Sequence, residues 1–113
     1  MAESCLFCRI VAGEIPAQIV AQNDAAVAFR DVNPQAPLHV LVVPREHIPS
    51  LGAARDARLL GEVALLAAQV ARSEGYADTG FRTVMNDGRD AGQSVAHLHM
   101  HVLAGRALGW PPG

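Results

Sequence analysis

"HLHMHVL", residues 97–103, carries a histidine at every second position, with Leu98, Met100 and Val102 between and after them. The chain has only five histidines, so three of them in five residues is a pattern that needs a cause. Successive side chains of a β-strand point to opposite faces, so a strand here puts His97, His99 and His101 on one face and the apolar residues on the other. A helix would scatter them. The apolar and β-branched flanks Val95, Val102 and Leu103, bounded by Gly92 and Gly105, favour the strand, and "SVAHLHMHVL" (94–103) is read as one.

Working outward, "LHVLVVP" (38–44) is a continuous apolar, β-branched run that predicts a central strand, ended by Pro44 and followed by the loop "REHIPS". "AQIVAQ" (17–22) and "AAVAFRD" (25–31) read as two short strands about an Asn23-Asp24 turn. From Asp56 to about Ser73 the period changes. Leu59, Leu60, Val63, Leu66, Ala67 and Val70 recur at helical spacing on Ala-rich sequence, with Gly75 beyond the end. "FRTVMN" (81–86) is a further strand, joined to 94–103 by "DGRDAGQ". Near the start, Ser4 is placed to cap a short helix over "CLFCRIVA", with Leu6, Phe7, Ile10 and Val11 as its apolar stripe and Gly13 as its stop. The sum is an α+β fold: an antiparallel sheet of about five strands, one long helix on a face and a short N-terminal helix, in a single domain over 1–113.

Composition narrows the function. Half of the residues are apolar, few are aromatic and the formal charge is −2. No run of Lys or Arg supplies the electrostatic footprint of a nucleic-acid binder, so a small-molecule substrate is expected and nucleic acid is not. No apolar run approaches the roughly 20 residues that cross a bilayer, and "MAESCLFCRIVAGEIP" lacks a charged-then-apolar leader pattern. No membrane association is expected, and the reading is a cytoplasmic protein. A domain this small gains stability from oligomerisation. Cys5 and Cys8 are too few and too close for a disulfide framework and point to thiols or a metal.

Three chemistries suit three imidazoles on one face: a zinc site with an open position, nucleophilic or acid–base catalysis in which neighbouring rings set tautomer and charge, or a merely hydrogen-bonded polar face. The preceding "NDGRDAGQS" (86–94) bears on the choice, because its glycines and Asn/Asp residues can form a concave anion site and Ser94 adds a hydroxyl near the histidine face. A phosphate fits there. Neither G-x-x-x-x-G-K-[ST] nor G-x-G-x-x-G is present, which excludes the two common nucleotide loops.

"GQSVAHLHMHVL" resembles the signature of the histidine triad (HIT) family, H-φ-H-φ-H-φ-φ preceded by G-Q-S. "CLFCRIVAGEIPAQIV", "AFRDVNPQAPLHVLVVPREHI", "NDGRDAGQS" and the terminal "GWPPG" extend the resemblance to the Hint branch over nearly the whole chain. It implies a homodimer and a purine nucleoside phosphoramidase, hydrolysing the P–N bond of AMP–amine conjugates through a nucleotidyl-histidine. His99 would be the nucleophile, His101 would polarise the phosphate, Ser94 would help protonate the leaving amine, and His39 would support the network. Asp31 would meet the ribose hydroxyls, and Phe7, Ile10, Phe29 and Val32 would wall the base pocket. Asn86, Gly92, Gln93 and Ser94, with His99 and His101, would hold the phosphate of the purine nucleotide. Related readings are a dinucleoside polyphosphate hydrolase and a nucleotide-binding adaptor. Catalysis would need no cofactor.

Cys5-x-x-Cys8 offers two thiolates at metal-ligand spacing. Bacterial members that keep this pair bind zinc with two further histidines, which correspond to His47 and His97 here. The same resemblance therefore implies a structural zinc at Cys5, Cys8, His47 and His97, against the alternative of two packed, reduced thiols. Trp110, the only tryptophan, is expected to be docked rather than free, since the resemblance places this tail across the dimer interface near the partner's active site.

Overall fold

β3 (Leu38–Pro44) is the middle of the molecule, and every one of its residues is buried, as its unbroken apolar sequence requires of a strand covered on both faces. The computed structural model describes residues 4–113. Ahead of β3 come α1 (Leu6–Val11), β1 (Ile19–Gln22) and β2 (Ala26–Arg30), and after it α2 (Ala57–Ser73), β4 (Phe81–Val84) and β5 (Met100–Ala104). The strands form one five-stranded sheet in the order β1-β2-β3-β5-β4. All four pairings are antiparallel. The β1–β2 connection is built on Asn23, whose Oδ1 accepts from the backbone N–H groups of Ala25 and Ala26.

The period-2 alternation sorts β2, β3 and β5 into two faces. Ala26, Ala28, Leu38, Val40, Val42, Val102 and Ala104 join Leu59, Val63, Leu66, Ala67, Val70 and Ala71 of α2 in the main core. Val27, Phe29, Leu41 and Val43 face the other way, packing with Cys5 and Phe7 under α1. α2 begins where Asp56 accepts from the N–H groups of Arg58 and Leu59 and ends before Gly75, whose φ of 93° suits glycine. Leu66 is almost wholly enclosed, so its truncation to Ala would cost about 2–5 kcal/mol.

Two expectations need correction. The cap of α1 is Cys5, whose sulfur accepts from the Cys8 N–H at 3.3 Å, and not Ser4. The strand read over 94–103 is paired only from Met100 to Ala104, because β4 stops at Val84, opposite His101, and the Leu98 N–H goes to the Ile48 carbonyl in the loop after β3 instead of to a strand. His97 and His99 therefore precede the ladder, although the side-chain alternation persists, with Leu98 in the core under α2. Trp110 is 82 % exposed within the single chain, while the backbone beside it is tethered by Arg82, whose guanidinium donates to the Gly109 carbonyl at 2.9 Å. Among the described residues no helix is long and apolar enough to cross a membrane.

Candidate active site

The sheet face opposite α2 carries the histidines singled out in the sequence. Antiparallel pairing sets Leu41 of β3 beside His101 of β5 and His39 beside Leu103, all on that face. His39 and His101 touch, Nε2 to Nδ1, at 2.9 Å. The rings of His101 and His99 follow at 5.2 Å between centroids, and Phe7 stands edge-on to both His99 (5.1 Å) and His97 (5.9 Å).

The tautomer of each ring follows from its fixed partners, since a backbone N–H can only donate and a carbonyl can only accept. The Gln35 N–H donates to His39 Nδ1 at 3.0 Å, so neutral His39 carries its proton on Nε2. That proton is donated to His101 Nδ1, with the Asp31 carboxylate 3.3 Å from the same nitrogen. His101 must then hold its own proton on Nε2. His99 differs: its Nδ1 donates to the His97 carbonyl at 2.7 Å, which leaves Nε2 as the unprotonated nitrogen. No buried side-chain N or O among the described residues lacks a partner, and no protein group bonds His99 Nε2, so this nitrogen reaches solvent. The face thus presents a lone pair on His99 beside an N–H on His101.

Burial sets the charge. It pushes the pKa of His39 below the ordinary imidazole value, with Asp31 opposing. Burial also lowers that of His101, followed by the neighbouring rings of His99 and His39, again against Asp31. Both rings are neutral near pH 7, as the one-proton contact between them requires.

Beside these rings a cleft of about 490 Å³ opens between α1 and the ends of β1 and β2, a size that suits a small ligand. Phe7, Ile10, Phe29, Asp31, Val32 and Ser94 line it, so six of the residues singled out in the sequence converge here. Asp31 is held between the Asn33 N–H (2.8 Å to Oδ1) and His39. Val32 is fully exposed at the rim. Asn86, Gly92 and Gln93 lie on the β4–β5 loop outside the cleft lining. The N–H groups of Gly92 and Gln93 donate within the loop, to Arg89 and Gly88 carbonyls. The Gln93 amide receives the Gly88 N–H and donates to the Pro49 and Val95 carbonyls, fixing the loop that carries Ser94. The sequence reading missed Gln35 and Pro44, which act through main-chain atoms and leave no side-chain signal, and Leu41, which is concealed inside an apolar run.

Two groups of side chains could hold a metal ion, one of Cys5, Cys8, His47 and His97 and one of Asp31, His39 and His101. Second contacts separate them. The His97 Nε2–H donates to the Pro44 carbonyl at 2.9 Å, which directs the Nδ1 lone pair at the two sulfurs. Its distances are 3.3 Å to Cys5 Sγ and 3.5 Å to Cys8 Sγ, and His47 Nδ1 lies 3.2 Å from both His97 Nδ1 and Cys8 Sγ. Ligand atoms around a tetrahedral ion with bonds of about 2.0–2.3 Å are about 3.3–3.8 Å apart, so the four donors fit. Burial, then the adjacent Cys5, raises the Cys8 thiol above its ordinary range, so paired thiolates here need a cation. The second group fails: a metal on His39 Nε2 would require a proton on Nδ1, where the Gln35 N–H already points.

The paired rings and most of the adjoining cleft's lining lie within a match to the HIT domain over residues 12–108. The chain belongs to the HIT domain family. It is 46 % identical over 111 residues to the purine nucleoside phosphoramidase of Escherichia coli K12, covering 96 % of this chain and 93 % of that protein. Among solved structures, a HIT family hydrolase from Legionella pneumophila is 43 % identical with a TM-score of 0.94, covering 97 % of this chain and all of that one. A Zn-bound histidine triad family protein from Mycobacterium smegmatis is 30 % identical with a TM-score of 0.84, covering 94 % of this chain and 78 % of that one. The HIT fold expected from the sequence is the fold observed.

Proposed function

We propose that this HIT protein is a purine nucleoside phosphoramidase, a hydrolase that cleaves the P–N bond of nucleoside phosphoramidates. The observation that carries the reading is the protonation pattern of the paired rings, a bare Nε2 on His99 next to an N–H on His101. The phosphoramidase name of the Escherichia coli relative at 46 % identity supports it.

In the proposed reaction His99 Nε2 attacks phosphorus, the N–P bond to His99 forms as the P–N bond to the amine breaks, and the His97 carbonyl stabilises the positive imidazolium through the Nδ1–H. His101 donates its Nε2–H to a phosphoryl oxygen as negative charge builds there. Ser94, which lines the cleft, passes its hydroxyl proton to the departing amine in this reading. Water then attacks the nucleotidyl-histidine, its oxygen bonding to phosphorus as the bond to His99 breaks and its proton returning to Ser94, which releases AMP and restores both residues. Asp31 takes the ribose hydroxyls, and Phe7, Ile10, Phe29 and Val32 enclose the base. Gln93 holds the loop, and with Asn86 and Gly92 it frames the phosphate side. No cofactor enters these steps.

The four-donor centre is proposed to hold a structural zinc, supported by its donor set and spacing. Zinc there would tie α1, the loop after β3 and the approach to β5 together. A homodimer is part of the reading, and it would give the exposed Trp110 a partner surface.

The test is acid-labile radiolabelled AMP trapped on the chain during turnover of adenosine phosphoramidate, with diadenosine polyphosphates assayed in parallel. Label on His99 and preference for the phosphoramidate are expected. Label on His97 or His101 overturns the mechanism, and preference for the polyphosphates overturns the substrate.

A further inference from the structure

His97 has two ends that serve different sites. Its Nδ1 faces Cys5, Cys8 and His47, while its main-chain oxygen accepts the Nδ1–H of His99 at 2.7 Å. Leu98 is packed in the main core, and beyond that few bonds fix this segment. The β5 ladder begins only at Met100, and residues 97–99 are held by the Leu98 N–H to the Ile48 carbonyl and the His97 ring to the Pro44 carbonyl. The opposite wall has the same dependence. α1 is six residues long, far below the roughly 12–15 at which an isolated helix becomes even marginal, so its position rests on its anchors. Two of those anchors are Cys5 and Cys8, and between them Phe7 is buried with its ring edge against both His97 and His99.

We propose that a divalent metal held by Cys5, Cys8, His47 and His97 positions the nucleophile His99, through the His97 carbonyl and the Phe7 ring, so that metal and the nucleotide phosphate bind with positive coupling. The inference rests on the metal and nucleotide readings given above. The metal itself stays outside the reaction and touches no substrate. It fixes His97 from the side chain, the His97 carbonyl fixes the direction of the His99 lone pair, and Phe7 closes the side on which the ring could otherwise swing. Coupling between two sites is reciprocal, so a phosphate seated on His99 must in turn tighten the metal.

The reciprocal form gives a test that never requires metal-free protein to stay folded. Zinc-loaded protein is mixed with a chromogenic chelator, and the rate of zinc release is measured alone, with saturating AMP and with saturating adenosine. Adenosine fills the cleft without a phosphate, so it separates coupling through His99 from mere filling of the pocket. The lower end of ordinary allosteric coupling is about fivefold in affinity, and affinity differences at one site fall mostly on the off-rate, so AMP is expected to slow release by about fivefold or more and adenosine by less than about twofold. Equal slowing by both ligands, or none by either, overturns the coupling while leaving the metal reading intact. Protein that takes up no zinc overturns the metal reading and the coupling with it. In zinc-loaded Phe7→Leu, the AMP effect on release should shrink to about twofold or less, and an undiminished effect would remove Phe7 from the proposal.

Discussion

His39 touches His101 rather than any reacting atom in the proposed mechanism, and that makes His39→Ala an informative perturbation. In the native chain the Gln35 N–H fixes the His39 tautomer, and the 2.9 Å bond from His39 Nε2 fixes that of His101. Without His39, the proton of His101 is free to move to Nδ1, away from the phosphate. A neutral hydrogen bond is worth a net ~0.5–1.5 kcal/mol, which converts to a loss of about two- to thirteenfold in kcat/KM. His101→Ala removes the donor itself and should cost about 10²- to 10³-fold, the range for deleting one oxyanion donor. His39→Gln keeps an amide N–H in the same region and should recover to within about threefold of the native value. The assay is steady-state kcat/KM on adenosine phosphoramidate, with AMP affinity measured alongside to show that the cleft survives. Losses of equal size in His39→Ala and His101→Ala would refute the argument, because His39 would then act on the substrate directly. An unchanged rate in His39→Ala would refute it from the other side.

His99→Ala should abolish turnover while AMP binding stays within about tenfold, since affinity comes from the cleft and catalysis from the attacking nitrogen; calorimetry and a single-turnover assay separate the two. Elemental analysis should find about one zinc per chain, absent from Cys5→Ser/Cys8→Ser, whose melting temperature should fall because metal binds the native state selectively. Burial holds His39 and His101 below the ordinary imidazole pKa of 6.5, so the unfolded chain binds more protons just beneath that pH. Their contribution to stability is complete above about pH 6.5 and is lost as pH falls from there toward the folded values. Urea midpoints at pH 7.5 and 5.5 should therefore drop less for His39→Gln/His101→Gln than for the native chain, and equal drops would count against the assignment. Truncation after Leu108 should leave the fold intact, yet change kcat/KM for bulky amine leaving groups more than for the unsubstituted phosphoramidate.

What the sequence made legible was the faces, and what it concealed was the backbone. Alternation in "LHVLVVP" and "HLHMHVL" assigns each side chain to a side of the sheet, because the period of 2 is a property of extended chain whether or not a neighbour pairs with it. That is why His97, His99 and His101 fall on the side opposite α2 although two of them precede the β5 ladder. The ladder's start was not legible, since it is set by where β4 ends and by the Leu98 N–H turning to the Ile48 carbonyl, and hence by partners far away in sequence. The converging metal donors show the same division. Cys5-x-x-Cys8 is a local signal, but His47 joins it only because the loop after Pro44 turns back toward α1. The decisive feature of the site, one ring with a bare Nε2 beside another with an N–H, depends on two main-chain groups, the His97 carbonyl and the Gln35 N–H. Every residue has both groups, so neither leaves a trace in residue identity. Substituting the side chain of Gln35 should accordingly leave the His39 tautomer in place, whereas Gln35→Pro, which deletes the N–H, should reproduce the kinetic defect of His39→Ala.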